Sequence, residues 1–202
     1  YAPPEGESSP RSPSAGPGSP FVFGCLNNPA KINAACIRLW SAILQRVPGA
    51  RIMLLACSDY HSARILEKFQ AAGIQSHQIS LVPRASATAY LEYHKAIDLM
   101  LDPFPYHGGV STCDALWMGV PVLTLAGGSY LSRQGVSILT NAGLTECIAA
   151  TREEFVAKAV TFATTRAMLA ELRRDLRNRV KNSPLMNHAD YVRELSDAFG
   201  AL

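Results

Sequence analysis

Short apolar segments that alternate with helical patterns constrain the fold of this chain more than any other feature of its sequence. Each segment is almost wholly apolar, as expected of a strand that is covered by helices on both sides. The predicted strands are residues 21–25, 51–57, 79–82, 97–102 and 121–125. This alternation predicts an α/β fold in which a parallel sheet carries helices on both faces. Ligands bind such sheets beyond the carboxyl ends of the strands.

Amphipathic patterns place helices between and after these strands. The predicted helices are residues 33–47, 62–72, 88–95, 110–118, 132–142, 152–164, 166–182 and 187–198. Helix 166–182 is rich in arginine, and we interpret its basic residues as a solvated face. Binding of phosphate or of an acidic partner is the less favoured alternative. The residues predicted to face the core are Met168, Leu169, Leu172, Leu176 and Val180.

The first 20 residues differ from the rest of the chain in composition. Six Pro, three Gly and five Ser account for 14 of them, and such a segment buries too little apolar surface to offset the entropy lost on ordering. We predict a linker or flexible arm over residues 1–20 and a globular unit over residues 21–202. Because a linker joins two parts and the chain begins with Tyr1, we expect a further segment before it.

Charge and cysteine content narrow the possible functions. The chain has 19 Lys and Arg against 16 Asp and Glu, a balance that gives too weak a field to bind nucleic acid or an anionic membrane. No apolar run reaches the length of about 18 residues that a membrane span needs. The five cysteines are scattered and form no CxxC pair. We therefore predict reduced core cysteines in a cytoplasmic protein, without a zinc or redox site.

The clearest chemistry lies between the fourth and fifth predicted strands. There Gly108 and Gly109 precede a predicted helix. Glycines let phosphate oxygens approach the backbone, and a helix N-terminus offers unpaired N–H groups and a favourable dipole. Val110 and Ser111 would supply such N–H groups, and the Ser111 hydroxyl is a further donor. This arrangement predicts a cradle for a nucleotide diphosphate.

Asp114 follows Ser111 by one helical turn and lies on the same face. Its carboxylate could accept hydrogen bonds from two ribose hydroxyls. The alternative is a glycine turn in which Ser111 or Thr112 caps the helix and Asp114 is favourable in its first turn. The chain has neither a GKS or GKT sequence nor a GxGxxG fingerprint here, which argues against a P-loop hydrolase and an NAD dehydrogenase.

A second polar loop, residues 27–31, follows the first predicted strand at a position where a site is expected. Lys31 could neutralise a diphosphate leaving group, and the alternative is an exposed surface lysine. His107 lies beside the glycines and could bind phosphate or transfer a proton. A structural role is the commoner one for a loop histidine without a named partner.

Four separated motifs, in order along the chain, are similar to those of one enzyme family. They are NNPAKIN, LDPFPYHGGVSTCDALWMGVPVLTL, SRQGVSILTNAGL and SPL. From about Phe21 onwards the chain resembles the C-terminal catalytic lobe of the SPINDLY-type O-linked N-acetylglucosamine transferases, which form glycosyltransferase family 41. The resemblance implies a Rossmann-like lobe of a GT-B enzyme, with the nucleotide sugar held in the cleft between this lobe and an N-terminal one.

The resemblance also implies roles for particular residues. Lys31 matches the family's lysine that contacts the diphosphate and helps the leaving group depart, so it is the candidate catalytic residue. Asp114 matches the ribose-binding aspartate. The implied nucleotide-sugar-binding residues are Asn28, Lys31, Arg84, Ala85, Tyr90, His107, Gly108, Gly109, Val110, Ser111 and Asp114. The implied reaction transfers a sugar, expected to come from UDP-GlcNAc, to a Ser or Thr hydroxyl with inversion.

No metal or other cofactor is expected, because lysine and helix N–H groups take the negative charge that a cation would otherwise hold. The resemblance implies that an N-terminal lobe and upstream tetratricopeptide repeats recruit the protein acceptor. The isolated chain should therefore bind a nucleotide without turnover.

Departures from the family pattern leave the donor open. Gly109, Val110 and Ser111 stand where animal members have His-Thr-Thr, and Tyr90 lies near positions where those members place basic residues and a histidine against the base. A GDP-fucose user, a GT-B enzyme with a lipid or small-molecule acceptor, and a non-catalytic nucleotide-binding module are the alternatives.

Overall fold

A computed structural model describes residues 1–3 and 19–200 of the chain. Within these residues one sheet contains six parallel strands. They are β1 (Val22–Cys25), β2 (Arg51–Ala56), β3 (Ile79–Pro83), β4 (Leu99–Leu101), β5 (Val122–Leu125) and β6 (Ile148–Ala149). The strand order is β3-β2-β1-β4-β5-β6, which is the order of the Rossmann fold.

The strand order reverses between the two central strands, and this reversal determines where a ligand can bind. Strand β1 pairs with β2 on one side and with β4 on the other. The connections that leave β1 and β4 therefore run to opposite sides of the sheet and open a crevice at the carboxyl ends of these strands. Close packing of the pair requires Gly24, since a Cβ there would lie 2.5 Å from Cδ1 of Ile97.

The described part of the chain contains nine α-helices. They are α1 (Ala34–Arg46), α2 (Asp59–Ala71), α3 (Ala87–Tyr93), α4 (Val110–Trp117), α5 (Gln134–Asn141), α6 (Arg152–Thr164), α7 (Arg166–Arg174), α8 (Leu176–Lys181) and α9 (His188–Gly200). The predicted cap of α1 is confirmed, because the Asn33 side chain accepts hydrogen bonds from the amides of Ala35 and Cys36. Gly119, at a φ of 73°, follows α4, a conformation that glycine adopts without strain.

The hydrophobic core fills both faces of the sheet. Helix α1 packs against α2 and α6, whereas α4 packs against α5 and α8. The strand residues Phe23, Ile52 and Leu99 are fully buried, as are Trp40 of α1 and Phe155 of α6. The strands thus carry apolar side chains on both faces because helices cover both faces of the sheet, as their sequences predict.

The predicted secondary structure is wrong at two places. Strand β6 spans only two residues and was not predicted, and helix 166–182 is divided into α7 and α8 at Asp175. Along this region Leu169, Leu172, Leu176 and Val180 are buried as predicted, but Met168 is 42% exposed.

Two further expectations about single residues are corrected. Arg173 belongs to the stretch interpreted as a solvated face, yet it is buried, and its guanidinium donates to the carbonyls of Ile97 and Asp98. Cys57 is exposed, whereas the other four cysteines are buried.

The predicted arm, residues 1–20, falls largely outside the described residues, because the structure describes only residues 1–3 and 19–20 of it. Among the described helices, none combines the length and apolar character that crossing a membrane requires.

Candidate functional site

Lys31 lies where the loops after β1 and β4 meet. It ends the 3-10 turn that follows β1. Its ammonium donates to the backbone carbonyl of His107 at 2.8 Å and lies 3.5 Å from Oδ1 of Asn27. The centroid of the Tyr106 ring is 3.9 Å from Nζ, within the range of a cation–π contact. Partial burial lowers the pKa of Lys31, because desolvation penalises its charged form.

Asn27 connects this lysine to helix α4. It is 5% exposed, and Oδ1 accepts a hydrogen bond of 2.8 Å from the hydroxyl of Ser111. Ser111 lies in the first turn of α4, whose leading amides have no partner within the helix. An ammonium group, a hydroxyl and a helix N-terminus therefore converge at the carboxyl edge of the sheet. The ammonium group and the leading amides of α4 favour an anion, whereas the proton of the Ser111 hydroxyl is donated to Asn27.

The two glycines before α4 have different surroundings. A Cβ at Gly108 would overlap the side chains of Ser111 and Thr112, so no larger residue fits there without displacing them. Gly109 precedes the helix directly and has open space on the side where a Cβ would stand. Val110, the first residue of α4, is 70% exposed. The approach to the helix N-terminus is therefore open.

The buried side chain of Asp102 holds the glycine loop in place. Its carboxylate accepts a hydrogen bond of 2.7 Å from the amide of Gly108 and one of 2.8 Å from the Thr124 hydroxyl. Both groups are buried, as is the carboxylate itself. Burial raises the pKa of Asp102 to about 7, although these two hydrogen bonds favour the charged form. The amide of Gly108 thus serves the protein and not a ligand.

The ring of His107 lies behind the loop and is fully buried. Its Nε2 is 2.9 Å from the carbonyl oxygen of Leu125, and its Nδ1 accepts from the amide of Gly135 at 3.2 Å. These partners fit the neutral Nε2–H tautomer, and burial lowers the pKa of His107. The backbone carbonyl of this residue, and not its ring, meets Lys31.

Asp114 lies in the second turn of α4 and is 8% exposed. Its Oδ1 accepts a hydrogen bond of 2.5 Å from the hydroxyl of Tyr1. Burial raises the pKa of Asp114, and the hydrogen bond from Tyr1 opposes this shift.

The other residues that the resemblance singled out lie around this centre. Arg84 and Ala85 are exposed after β3, and Arg84 Nε is 3.2 Å from Cys57 Sγ. The Tyr90 ring packs edge-on against His94, with centroids 5.1 Å apart. Asn28 is exposed, and its side chain caps the turn that carries Lys31. The structure therefore joins Lys31 and Ser111 through the Asn27 side chain. Asn28 contacts Lys31 through its backbone carbonyl, which accepts from the Lys31 amide at 2.9 Å. Among the described residues no hydrogen bond links Arg84 or Ala85 to Lys31 or Ser111.

Comparison with known proteins places this geometry in a family. A model of glycosyl transferase family 41 matches residues 9–195. The chain belongs to glycosyl transferase family 41. It is 33% identical over 203 residues to the Hordeum vulgare protein named probable UDP-N-acetylglucosamine–peptide N-acetylglucosaminyltransferase SPINDLY, and 34% identical over 200 residues to the Arabidopsis thaliana protein of that name. The predicted family is thus confirmed.

These matches cover most of this family 41 chain and a smaller part of its relatives. They span 95% and 93% of the chain, but 22% of each of the two plant proteins. A solved structure of a mutant Thermobaculum terrenum O-GlcNAc transferase aligns with a TM-score of 0.85 at 32% identity and covers 93% of this chain and 37% of that one. Anabaena HepE in complex with UDP aligns with a TM-score of 0.65 at 11% identity, covering 91% and 50%, and shares the fold. The predicted fold class is confirmed.

Two residues of this family 41 lobe that shape the site were not among its sequence candidates. Asn27 lies beside the candidate Asn28 in the same polar loop, and only the β1–β4 pairing brings it to Ser111. Asp102 ends a predicted strand, and its polar character at that position is the only signal that the sequence carries. Asn27 contacts the candidates Lys31 and Ser111, and Asp102 holds the amide of the candidate Gly108.

Proposed function

We propose that this chain is the donor-binding lobe of a protein O-glycosyltransferase that transfers N-acetylglucosamine from UDP-GlcNAc to Ser or Thr hydroxyls with inversion. The observation that carries the proposal is the convergence of Lys31 and the N-terminus of α4 on Oδ1 of Asn27. It gives a family 41 lobe a compact cationic site at the position in the sheet where nucleotides bind.

Lys31 would assist departure of the nucleotide. When the bond between the sugar and the diphosphate breaks, negative charge grows on the leaving phosphate oxygen. A protonated amine held by the His107 carbonyl is already oriented for that charge and needs little reorganisation. An arriving diphosphate would also raise the pKa of Lys31, since an opposite charge favours the protonated form.

Helix α4 would hold the rest of the nucleotide. Its first amides would bind phosphate oxygens, and the Ser111 hydroxyl would join them by exchanging its bond to Oδ1 of Asn27 for one to phosphate. Asp114 would accept hydrogen bonds from ribose hydroxyls one turn further along. Tyr90 and the backbone near Arg84 and Ala85 would contact the base. In this proposal no metal ion is needed, because the ammonium and the amides already supply positive charge.

The acceptor is proposed to bind elsewhere in the full enzyme. Since the chain spans about a fifth of the plant relatives that it matches, we propose that an N-terminal lobe and upstream tetratricopeptide repeats present the protein acceptor, in the cytoplasm. The 202-residue chain alone would bind nucleotide without transferring sugar.

Calorimetric titration of UDP and GDP into the 202-residue chain tests the donor site. Lys31→Met removes a charge at similar length, and Asp114→Asn removes a charge at similar size. Loss of one charged contact should weaken binding by roughly 10- to 150-fold. The matched control is Lys68→Met, because Lys68 is exposed in the last turn of α2, at the opposite edge of the sheet, and should bind as the wild type does.

The outcomes separate the candidates. UDP binding that weakens in both site variants supports the proposal, and a preference for GDP keeps the site but shifts the donor towards GDP-fucose. Equal affinity in all four proteins would show that the nucleotide binds elsewhere. Sugar transfer by the 202-residue chain alone would contradict the requirement for a second lobe.

A further inference from the structure

Tyr1 lies against the candidate ribose site, although it is far from that site in sequence. Its hydroxyl donates to Oδ1 of Asp114 at 2.5 Å. The Tyr1 ring meets the indole of Trp117 edge-on, with centroids 6.5 Å apart. Trp117 follows Asp114 by three residues on α4, so both contacts involve one face of that helix.

The backbone of Tyr1 is fixed as well as its side chain. Its nitrogen donates to the carbonyl of Leu185 at 2.6 Å, and its carbonyl oxygen is 2.9 Å from Nε2 of His188. The first contact requires a single N–H, which a peptide amide supplies equally well if other residues precede Tyr1. Tyr1 also borders a groove of about 930 Å³ that is formed with the 183–187 turn and α9.

We propose that Tyr1 is a positioning residue of the donor site, whose hydroxyl fixes the Asp114 carboxylate so that its other oxygen serves the ribose. This inference rests on the proposed function. Within the described residues Oδ2 of Asp114 accepts no hydrogen bond, so the protein holds one carboxylate oxygen and provides no donor to the other. The Asp114 side chain is thereby oriented before the nucleotide binds, which lowers the entropy that this side chain loses on binding.

The electrostatics of the contact agree with this role. Burial disfavours the charged carboxylate of Asp114, and the hydrogen bond from Tyr1 favours it. The Tyr1 hydroxyl remains protonated, because burial and the charge of Asp114 both raise its pKa. Tyr1 therefore acts as a donor and favours the charged form of Asp114, whose oxygens accept hydrogen bonds.

Titration of UDP into wild type, Tyr1→Phe and Tyr191→Phe between pH 5 and 8 tests the inference. Tyr1→Phe keeps the ring on Trp117 and removes only the hydroxyl. Loss of this hydrogen bond should weaken UDP binding by roughly three- to tenfold near pH 7.5, and the loss of affinity at acid pH should begin at a higher pH. Tyr191→Phe is the matched control, because Tyr191 lines the same groove from α9 and is 65% exposed.

A double-mutant cycle separates positioning from a general structural effect. If Tyr1 acts through Asp114, Tyr1→Phe should have no further effect on UDP binding in the Asp114→Asn background. Tighter UDP binding by Tyr1→Phe would overturn the inference, since Tyr1 would then occupy the place of the ribose. Unchanged affinity and an unchanged pH profile would overturn it too.

A nucleotide-free measurement distinguishes failure of this inference from failure of the proposed function. The pKa of the Asp114 carboxyl, followed by carbon-13 NMR, should rise in Tyr1→Phe. If UDP binds and this pKa does not move, Tyr1 does not hold Asp114. If neither UDP nor GDP binds the wild-type chain, the donor site is wrong and the ribose role of Tyr1 falls with it, whatever the carboxyl titration shows.

Discussion

At the scale of single residues, Asp102 explains how a glycine loop keeps its shape. Its two carboxylate oxygens hold the amide of Gly108 and the hydroxyl of Thr124, and all three groups are buried. A buried donor without an acceptor costs about 1–3 kcal/mol. The loop that leads into α4 is therefore anchored by a buried carboxylate.

We expect Asp102→Ala to destabilise the chain by about 2–4 kcal/mol, because it leaves two buried donors without an acceptor and opens a small cavity. Asp102→Asn is the matched variant: its amide oxygen still accepts from Gly108, so its loss should be smaller by about 1–2 kcal/mol. Urea unfolding at pH 7 measures both. Equal losses in the two variants would show that the hydrogen bond to Gly108 contributes little.

At the scale of elements, helix α5 packs against the buried polar groups of Asp102, Thr124 and His107. Gly135, in the first turn of α5, donates its amide to Nδ1 of His107. A Cβ at this position would lie 2.5 Å from both Oδ2 of Asp102 and Oγ1 of Thr124. The helix can approach the buried polar groups this closely only because residue 135 has no side chain.

Gly135→Ala should therefore displace α5 and destabilise the chain by about 1–3 kcal/mol, the usual cost of overpacking a core. Gly128→Ala is the control, because a Cβ there meets nothing within 4 Å, and its effect should stay within about 0.5 kcal/mol. Thermal or urea unfolding compares the two. Similar losses in both variants would point to backbone flexibility as the cause.

The elements also show what the sequence can predict and what it cannot. Strands β1, β2 and β4 were predictable because a short apolar run is typical of a strand that is buried on both faces. Helix α1 was predictable because Asn33 caps an amphipathic pattern. Strand β6 has only two residues, too few for a periodic signal. Helices α7 and α8 share one continuous pattern, so their division at Asp175 leaves no trace in it.

Within the candidate site, the loops were predictable and their connections were not. Glycines before a helix and a lysine after a strand have local signatures. The bonds from Asn27 to Ser111 and from Tyr1 to Asp114 join residues 84 and 113 positions apart. Contacts at such separations depend on how distant segments pack together, which no local pattern specifies.

At the scale of the whole molecule, two buried groups on different elements oppose each other in the pH dependence of stability. His94 follows α3, is fully buried, and its pKa is lowered by burial to about 4. Between pH 4 and 6.5 the unfolded chain binds a proton at His94 that the folded chain does not, so stability falls as the pH drops. Asp102, with its pKa raised to about 7, binds a proton in the folded chain that the unfolded chain lacks, so its effect has the opposite sign.

We therefore expect the contributions of His94 and Asp102 to the free energy of unfolding of the wild type to cancel largely between pH 4 and 6.5. In His94→Gln only the contribution of Asp102 remains. The free energy of unfolding of this variant, relative to the wild type, should therefore fall with rising pH by up to about 1.4 kcal/mol per pH unit. Asp102→Asn should show a slope of opposite sign. Urea unfolding at half-unit pH steps measures both difference curves. Parallel curves for wild type and His94→Gln would mean that water reaches His94 and that its neutral form is not enforced by burial.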